Sequence, residues 1–360
     1  MADAVDDKYL KGRGAQINTH NKFEKHTVGT FHIEGIDEEV GLGGRTQYIP
    51  TYPKTFINKV DSPDVGRAYS MNPYQGCEHG CLYCYARTTH EYWGYSAGLD
   101  FEQKILVKQN ITEALEKQFS KKGWEPLPIM LSGNTDCYQP IEKKLKLTRG
   151  VLETVLKYKH PVSMITKNSL ITRDIDVLQE LAKHNLVHVM MTITSTDEKV
   201  RLQLEPRTTT YKQRFKAIEA LSKAGIPVGV MVAPIIPGIT SHDVPNVIKI
   251  AAEHGAKRAG YTIVRLNGPI GAVFKDWLEK NYLDRAQKVW NQISDCHGGK
   301  VNDSRYGTRM SGEGNIAESI KKLFKISVKK FMGEDDWEGL NTKAFLNKHN
   351  AQTSLFDDMA

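Results

Sequence analysis

The chain has 360 residues, 40% of them hydrophobic, and its 49 basic and 42 acidic side chains give a net charge of +7. This length suits one large α/β domain with a substantial core. No apolar run is long enough for a transmembrane helix, and the charged N-terminus MADAVDDKYLKGRG lacks the apolar segment of a secretion signal, which predicts a cytoplasmic protein. The mildly basic charge is compatible with a nucleic-acid partner without requiring one.

Residues 1–65 are polar, glycine-rich and weakly periodic, and they predict an extended N-terminal arm lying over the main body. Residues 66–267 alternate apolar strand-like segments with segments of helical spacing. The six predicted strands are RAYSM (67–71), PIMLSG (128–133), PVSMITK (161–167), VHVMMTITS (187–195), PVGVMVAPIIPG (227–238) and RAGYTIVRL (258–266). Apolar strands joined by helices favour a parallel sheet, which right-handed crossovers curl. The sequence therefore predicts an α/β fold with a partial (β/α)6 barrel, because a closed barrel needs eight units.

The pattern changes after residue 267. Residues 268–340 contain long segments of helical spacing and predict a C-terminal helical extension. One of these segments, KKLFKISVKK, places Lys321, Lys325 and Lys329 on one helical face. A solvated face of an amphipathic helix is the favoured interpretation, and a phosphate-binding strip is the alternative. Residues 341–360 are polar and predict a flexible tail.

Three closely spaced cysteines, Cys77, Cys81 and Cys84, lie in the segment CEHGCLYCYAR. The glycines and polar residues around them predict a loop, in which thiols bind metal more readily than they pack. A structural zinc site needs four ligands, usually in two pairs, and the other cysteines, Cys137 and Cys296, are isolated. Three thiolates leave one iron of a [4Fe–4S] cluster without a protein ligand. That open position favours a cluster that binds substrate, and zinc is the alternative.

The spacing C-x3-C-x2-C after the first strand of a six-unit β/α series resembles the radical S-adenosylmethionine (SAM) superfamily. The resemblance implies that Cys77, Cys81 and Cys84 hold a [4Fe–4S] cluster whose open iron chelates the amino and carboxylate groups of SAM. It implies reductive cleavage of SAM to methionine and a 5′-deoxyadenosyl radical, which abstracts a hydrogen atom from substrate. A reductant such as flavodoxin or ferredoxin would supply the electron.

Five segments resemble the spore photoproduct lyase-like branch of that superfamily, a branch of DNA repair enzymes: YCY, GNTD, ITK, TSTD followed by EP, and VAP. The resemblance implies that Lys167 and Ser195, after the third and fourth strands, bind the methionyl carboxylate. It implies that Thr135 and Asp136 contact the methionyl amine, with Asn134 a weaker candidate. From residue type alone, the alternatives are a solvated Lys167 and a Ser195 that caps a helix or forms a turn.

Two further segments carry candidates for binding the cofactor. Arg207, in EPRTTTY after the fourth strand, is placed to reach SAM. VAPIIPG ends the fifth strand with small and imino residues that let the backbone approach a flat adenine, which makes Pro234 a candidate. Arg214 lies inside an apolar helical stripe and is expected to form a structural ion pair with Glu205.

The catalytic candidates are Tyr83 and Tyr85, which flank Cys84, because the lyase's radical relay also uses tyrosine. Packing beside the cluster is their alternative role. The lyase returns hydrogen from a cysteine beside its second-strand motif, but alignment on GNTD places Gly133 at that position. Cys137, four residues later, is the remaining candidate. The resemblance thus implies the reaction class, but it does not imply that the substrate is a thymine dimer.

The favoured function is that of a radical SAM enzyme acting on DNA or a nucleotide. A protein or small metabolite is the alternative substrate. The tail segment QTSLF also resembles the peptide by which bacterial polymerases and repair proteins bind the sliding clamp, through Gln352, Leu355 and Phe356. A chance match is the alternative for that peptide. The alternative outside enzymes is therefore a metal-binding accessory of the clamp without turnover.

Overall fold

The computed structural model describes residues 10–23, 45–333 and 337–346. Numbered in chain order, the strands are β1 (Gln47–Thr51), β2 (Ile57–Ser62), β3 (Gly66–Met71), β4 (Tyr74–Gln75), β5 (Lys104–Lys108), β6 (Ile129–Leu131), β7 (Val162–Thr166), β8 (Val187–Thr192), β9 (Val228–Ile235) and β10 (Arg258–Ile263). The α-helices are α1 (Asp100–Gln103), α2 (Ile111–Phe119), α3 (Glu142–Leu145), α4 (Leu147–Lys157), α5 (Ile175–Lys183), α6 (Glu198–Leu204), α7 (Tyr211–Lys223), α8 (Val244–Glu253), α9 (Ile270–Asn281), α10 (Ala286–Asp295) and α11 (Gly314–Phe331). Short 3-10 helices span Tyr85–Trp93, Ser169–Asp174 and Ser241–Asp243.

A curled seven-stranded sheet in the order β10-β9-β8-β7-β6-β3-β2 forms the centre of the fold. The six strands from β3 to β10 in this sheet pair in parallel, and β2 pairs with β3 in antiparallel fashion at one edge. The predicted partial (β/α)6 barrel is therefore confirmed. A smaller sheet, in the order β1-β5-β4, packs separately.

Apolar residues hold the helices against the sheet, as the sequence pattern requires. Along β8, Val187, Val189 and Met191 are fully buried, and the inward faces of α5 and α8 meet the same core. Burying each such side chain contributes about 1.5–3 kcal/mol. Within the described residues, no helix combines the length and the apolar character needed to cross a membrane.

Most predicted strands extend past the observed ones at their carboxyl ends. The predicted segment 187–195 overruns β8 by three residues, and 128–133 overruns β6 by two. The chain leaves the sheet there because polar turns begin: Ser132 has a φ of 70°, and the Ser195 side chain bonds to Asp243. These turns bring polar groups to one end of the barrel.

The structure adds order in both segments that the sequence predicts to be weakly structured. In the N-terminal arm, β2 pairs with β3 over its whole length, although INKVDS has too few apolar residues to predict a strand. At the other end, Phe345 packs edge-on against His160, and the Leu346 amide donates to the Tyr158 carbonyl. The divisions at residues 65, 267 and 340 remain predictions, and QTSLF lies outside the described residues.

Candidate active site

A cavity of about 510 Å³ opens at the carboxyl ends of the parallel strands. Its size falls within the roughly 300–1,000 Å³ typical of small-molecule sites, and barrels of this kind bind ligands at that end. Residues within β9 and residues after β6, β7 and β10 line it, together with Val60 and Ser62 of β2 and with Arg309 and Met310 before α11. Three of the four predicted parts of the chain, residues 1–65, 66–267 and 268–340, therefore contribute to one cavity.

Cys77, Cys81 and Cys84 all line this cavity. Cys77 and Cys81 are only 6% and 7% exposed, and burial raises the pKa of both thiols. A buried thiolate is costly unless a metal or a cation compensates its charge, so three soft donors in one wall fit an iron–sulfur cluster. In the described parts of the chain, no three His, Cys, Asp or Glu side chains are arranged to hold a single metal ion. Cluster ligands bind separate irons and do not need such convergence.

The cysteine loop is held by Arg87, the last residue of the CEHGCLYCYAR segment. Its guanidinium is fully buried and donates to the carbonyls of Cys81 (2.9 Å) and Gly98 (2.9 Å). Its third contact is an ion pair with the buried Glu102, at 2.5 Å. Sequence analysis missed Arg87 because nothing in a loop's composition shows which carbonyls a nearby arginine will bind.

Glu102 also joins the N-terminal arm to the cysteine loop. Its carboxylate accepts from the backbone amides of Gly14 (3.0 Å) and Ala15 (2.7 Å). Gly14 lies so close to the loop that a Cβ atom there would stand 1.7 Å from the carbonyl oxygen of Gly80. A glycine is required at this position because only backbone fits between the two segments.

Asp136 and Thr135 line the cavity, and both side chains are engaged by the protein. The Asp136 carboxylate accepts from the Thr166 hydroxyl (2.7 Å) and the Lys167 amide (2.8 Å), and the Thr135 hydroxyl donates to the Tyr74 carbonyl (2.6 Å). Burial alone would raise the pKa of Asp136, but His79 and these hydrogen bonds outweigh it and hold the pKa well below its usual range. Asp136 is thus an anion in the cavity wall.

Lys167 follows β7, is partly buried and lines the same cavity. Its Nζ lies 5.8 Å from the centre of the Tyr83 ring. Burial lowers the pKa of Lys167, but the surrounding groups, Cys81 and Glu205 foremost, raise it by more, so the ammonium stays charged. Among the described residues, no carboxylate lies within ion-pair distance of this ammonium. It is therefore available to an anionic group of a ligand.

The two tyrosines line the cavity in different environments. Tyr83 is buried and donates its hydroxyl to Glu205, whereas Tyr85 is 47% exposed and donates to the carbonyl of Gly133. Burial opposes ionisation of Glu205, yet Arg214, at 2.6 Å, and Lys167 lower its pKa to about 2. The predicted pair of Arg214 with Glu205 is confirmed. Burial of its hydroxyl raises the pKa of Tyr85 to about 12, so both phenols are protonated.

The structure does not bring every predicted residue to the cavity wall. The Ser195 hydroxyl donates to Asp243 (2.7 Å) and accepts from the Asp197 amide. These bonds place Ser195 in a turn, which is its alternative role. Arg207 donates to Glu78 at 3.2 Å. Cys137 is fully buried in the main apolar core. Pro234, by contrast, lines the cavity at the end of β9.

The family model described as "Radical SAM superfamily" matches residues 71–251. The chain belongs to the radical SAM superfamily. An uncharacterized protein of Mycobacterium tuberculosis is 31% identical over 230 residues, which cover 63% of this chain and 68% of that one. A radical SAM Nalpha-GlyT isomerase of Pseudomonas phage M6 is 25% identical over 183 residues, 50% of this chain and 36% of that one.

Among solved structures, spore photoproduct lyase complexed with dinucleoside spore photoproduct is similar to this chain with a TM-score of 0.60. The match is 17% identical and covers 84% of this chain and 86% of the lyase. At that identity the likeness shows a shared fold. Membership of the superfamily implies a [4Fe–4S] cluster and SAM as cofactors.

The contact of Gly14 with the cysteine loop gives a first prediction. In Gly14→Ala, the new methyl group cannot fit against Gly80, so the arm is expected to leave the loop. Local opening should speed tryptic cleavage after Arg13 roughly tenfold or more, as followed by mass spectrometry. Gly339→Ala is the matched control, because a Cβ atom at Gly339 meets nothing within 4 Å. Equal cleavage rates in the two variants would contradict the prediction.

Proposed function

We propose that this chain is a radical SAM enzyme that acts on DNA or a nucleotide, with Cys77, Cys81 and Cys84 as the cluster ligands. The observation that carries the proposal is that the three thiols, the unpaired ammonium of Lys167 and the Tyr85 phenol all face one cavity. When bound, the cluster and SAM would supply a 5′-deoxyadenosyl radical that abstracts hydrogen from the substrate. The chain's own task is to bind, orient and shield the reactants.

The cavity offers complementary groups for the parts of SAM. The Lys167 ammonium suits the methionyl carboxylate, because a charge-assisted hydrogen bond is strong where water is excluded. Asp136, held ionised by its neighbours, suits the methionyl ammonium, and Thr135 fixes the same turn through Tyr74. The backbone at Pro234 offers an adenine a flat wall. Ser195 and Arg207 are then positioning residues, acting through Asp243 and Glu78.

The substrate class has support from three directions. The lyase of similar fold was solved with a dinucleoside spore photoproduct, and the phage relative is named for the isomerisation of Nalpha-GlyT. The net charge of +7 favours a polyanionic partner. The lyase returns hydrogen from a cysteine, but this chain has Gly133 at that position. Cys137 is buried in the core, so neither residue offers a thiol to the substrate. We propose that Tyr85, half-exposed beside Gly133, donates a hydrogen atom to the substrate radical and becomes a tyrosyl radical. A reductant such as flavodoxin or ferredoxin would return one electron to it, and the solvent one proton.

A partner role is proposed for the tail. Gln352, Leu355 and Phe356 would bind the groove of a replication sliding clamp and bring the enzyme to DNA. The proposal is supported by the sequence pattern alone, because these residues lie outside the described part of the chain.

The cluster assignment predicts the behaviour of Cys81→Ala. After anaerobic reconstitution with iron and sulfide and reduction with dithionite, we expect cluster absorbance and 5′-deoxyadenosine production to fall to background. Cys296→Ala is the control, because it deletes an equally buried thiol that does not line the cavity. If Cys81→Ala retains the cluster and cleaves SAM as Cys296→Ala does, the ligand assignment is wrong.

The role of Lys167 predicts weaker SAM binding in Lys167→Met. Loss of one charged contact to the methionyl carboxylate should raise the dissociation constant roughly tenfold or more, as measured by anaerobic calorimetry on the iron-loaded protein. Lys216→Met, on the exposed face of α7, should bind SAM as the unmodified protein does. An unchanged constant in Lys167→Met, with iron content intact, would show that the carboxylate binds elsewhere.

The substrate class predicts transfer of hydrogen from nucleic acid to the cofactor. Fully deuterated DNA fragments, with and without ultraviolet irradiation, are added to the reduced enzyme, and 5′-deoxyadenosine is analysed by mass spectrometry. Deuterium is expected in the product from at least one of the two preparations. Cleavage of SAM without any deuterium transfer would retain the radical chemistry and reject DNA as the substrate.

A further inference from the structure

We infer that Arg265 and Arg309 form a phosphate-binding subsite at the rim of the cavity. This inference rests on the proposed function and deepens it, because it names the group by which a nucleotide or nucleic acid is held. Both side chains line the cavity that also contains the three cysteines. Arg265 follows β10, and Arg309 lies in the segment of residues 296–313 between α10 and α11.

Arg309 is fixed by the turn between β2 and β3. Its Nε donates to Asp64 at 2.5 Å and its Nη2 to the Ser62 hydroxyl at 3.0 Å. The other Asp64 oxygen accepts from the Gly307 amide at 2.8 Å, which ties the two loops together. The guanidinium is therefore preorganised, so binding an anion would cost it little conformational entropy.

Arg265 has fewer direct partners than Arg309. Its one direct hydrogen bond in the described structure is from Nη1 to the backbone carbonyl of Asp303, at 3.3 Å. Among the described residues, no carboxylate lies within ion-pair distance of it. Its burial, and next the charge of Arg309, lower the pKa of Arg265. Two guanidinium groups that line one cavity repel each other, and an anion that both of them bind would offset that repulsion.

Phosphate is the anion that this arrangement fits. A planar guanidinium offers two parallel donors that match phosphate oxygens, and two arginines can hold one phosphate from different sides. The rim carries apolar surface at Val65, which is 47% exposed. Next to the rim, Tyr306 is 59% exposed, and the Arg309 guanidinium lies 4.4 Å from its ring centre. Cationic groups interleaved with an aromatic ring are typical of sites that bind a nucleotide chain.

The subsite also lies on the correct side of the cavity for the proposed reaction. Arg265 and Tyr85 line the same cavity, and the Tyr85 hydroxyl donates to the carbonyl of Gly133. A phosphate held by Arg265 would therefore place the attached nucleoside near the proposed hydrogen donor. This assignment does not use Lys167 or Asp136, which are proposed to bind the two ends of the methionyl group.

The test measures binding of a fluorescein-labelled twelve-nucleotide oligothymidylate by anisotropy, with the iron-loaded protein and SAM. In Arg265→Gln we expect roughly tenfold weaker binding and a salt dependence reduced by about one phosphate contact. Thymidine monophosphate should compete better than thymidine against the unmodified protein, and this advantage should vanish in the variant. If the mononucleotide competes as well as the unlabelled oligonucleotide, the ligand is a single phosphate. If the mononucleotide competes less well, the ligand is a nucleic-acid chain.

Arg67→Gln is the matched control, because it removes the same charge from an exposed arginine that pairs with Glu125 and does not line the cavity. Equal weakening in both variants would overturn the subsite, since it would reflect net charge alone. An equal rise in the dissociation constant for SAM would overturn it too, by assigning the arginines to the cofactor. If Arg265→Gln does not fold, Arg265→Lys keeps the charge without the fork and should lose part of the affinity. Unchanged oligonucleotide binding in a variant that still cleaves SAM rejects the subsite alone, whereas failure of the unmodified protein to cleave SAM rejects the proposed function.

Discussion

The geometry of the site depends on the buried ion pair between Arg87 and Glu102. The cysteine loop has little regular structure of its own, so its shape must come from contacts outside it. Arg87 holds the carbonyl of Cys81, and Glu102 holds Arg87 and the amides of Gly14 and Ala15. A buried pair is favourable only when its remaining donors and acceptors are satisfied, and here backbone groups from two other segments satisfy them. The loop is thus shaped by the protein before any cofactor binds.

The sequence predicted the parts of the structure that repeat or that carry a compact motif. Six strands followed from apolar segments at regular intervals, and the cysteine loop and Lys167 from short local patterns. The parts it did not predict depend on partners far apart in the chain. The Arg309 side chain and its partner Asp64 are 245 residues apart, and β2 becomes a strand only because β3 offers it an edge. No periodicity or spacing reports contacts of this kind.

A residue's position at a strand end predicted where its backbone lies better than it predicted where its side chain points. Ser195 and Cys137 both lie in the turns where ligand-binding groups collect. At Ser195 the chain has already left β8, and its hydroxyl turns to Asp243 rather than to the cavity. Cys137 directly follows Asp136, and because Asp136 faces β7 and the cavity, its neighbour is turned into the core. A motif fixes where the chain runs, and tertiary packing decides which side chain faces the ligand.

The residues that line the cavity fall into two groups, one inside and one outside the part of the chain that matches the superfamily model. The three cysteines, Asp136 and Lys167 all lie within residues 71–251, the part that matches the superfamily. The rim lies outside that part: its residues are Val60, Ser62, Val65, Arg265, Arg309 and Met310. The part of the chain that matches the superfamily model therefore supplies the cysteines, and segments outside that part supply the rim. Selectivity for substrate commonly resides in loops and extensions of this kind. This division explains why the sequence indicated the class of chemistry clearly but left the substrate to be argued from the structure. The arginines of the rim carry that argument because both lie outside residues 71–251.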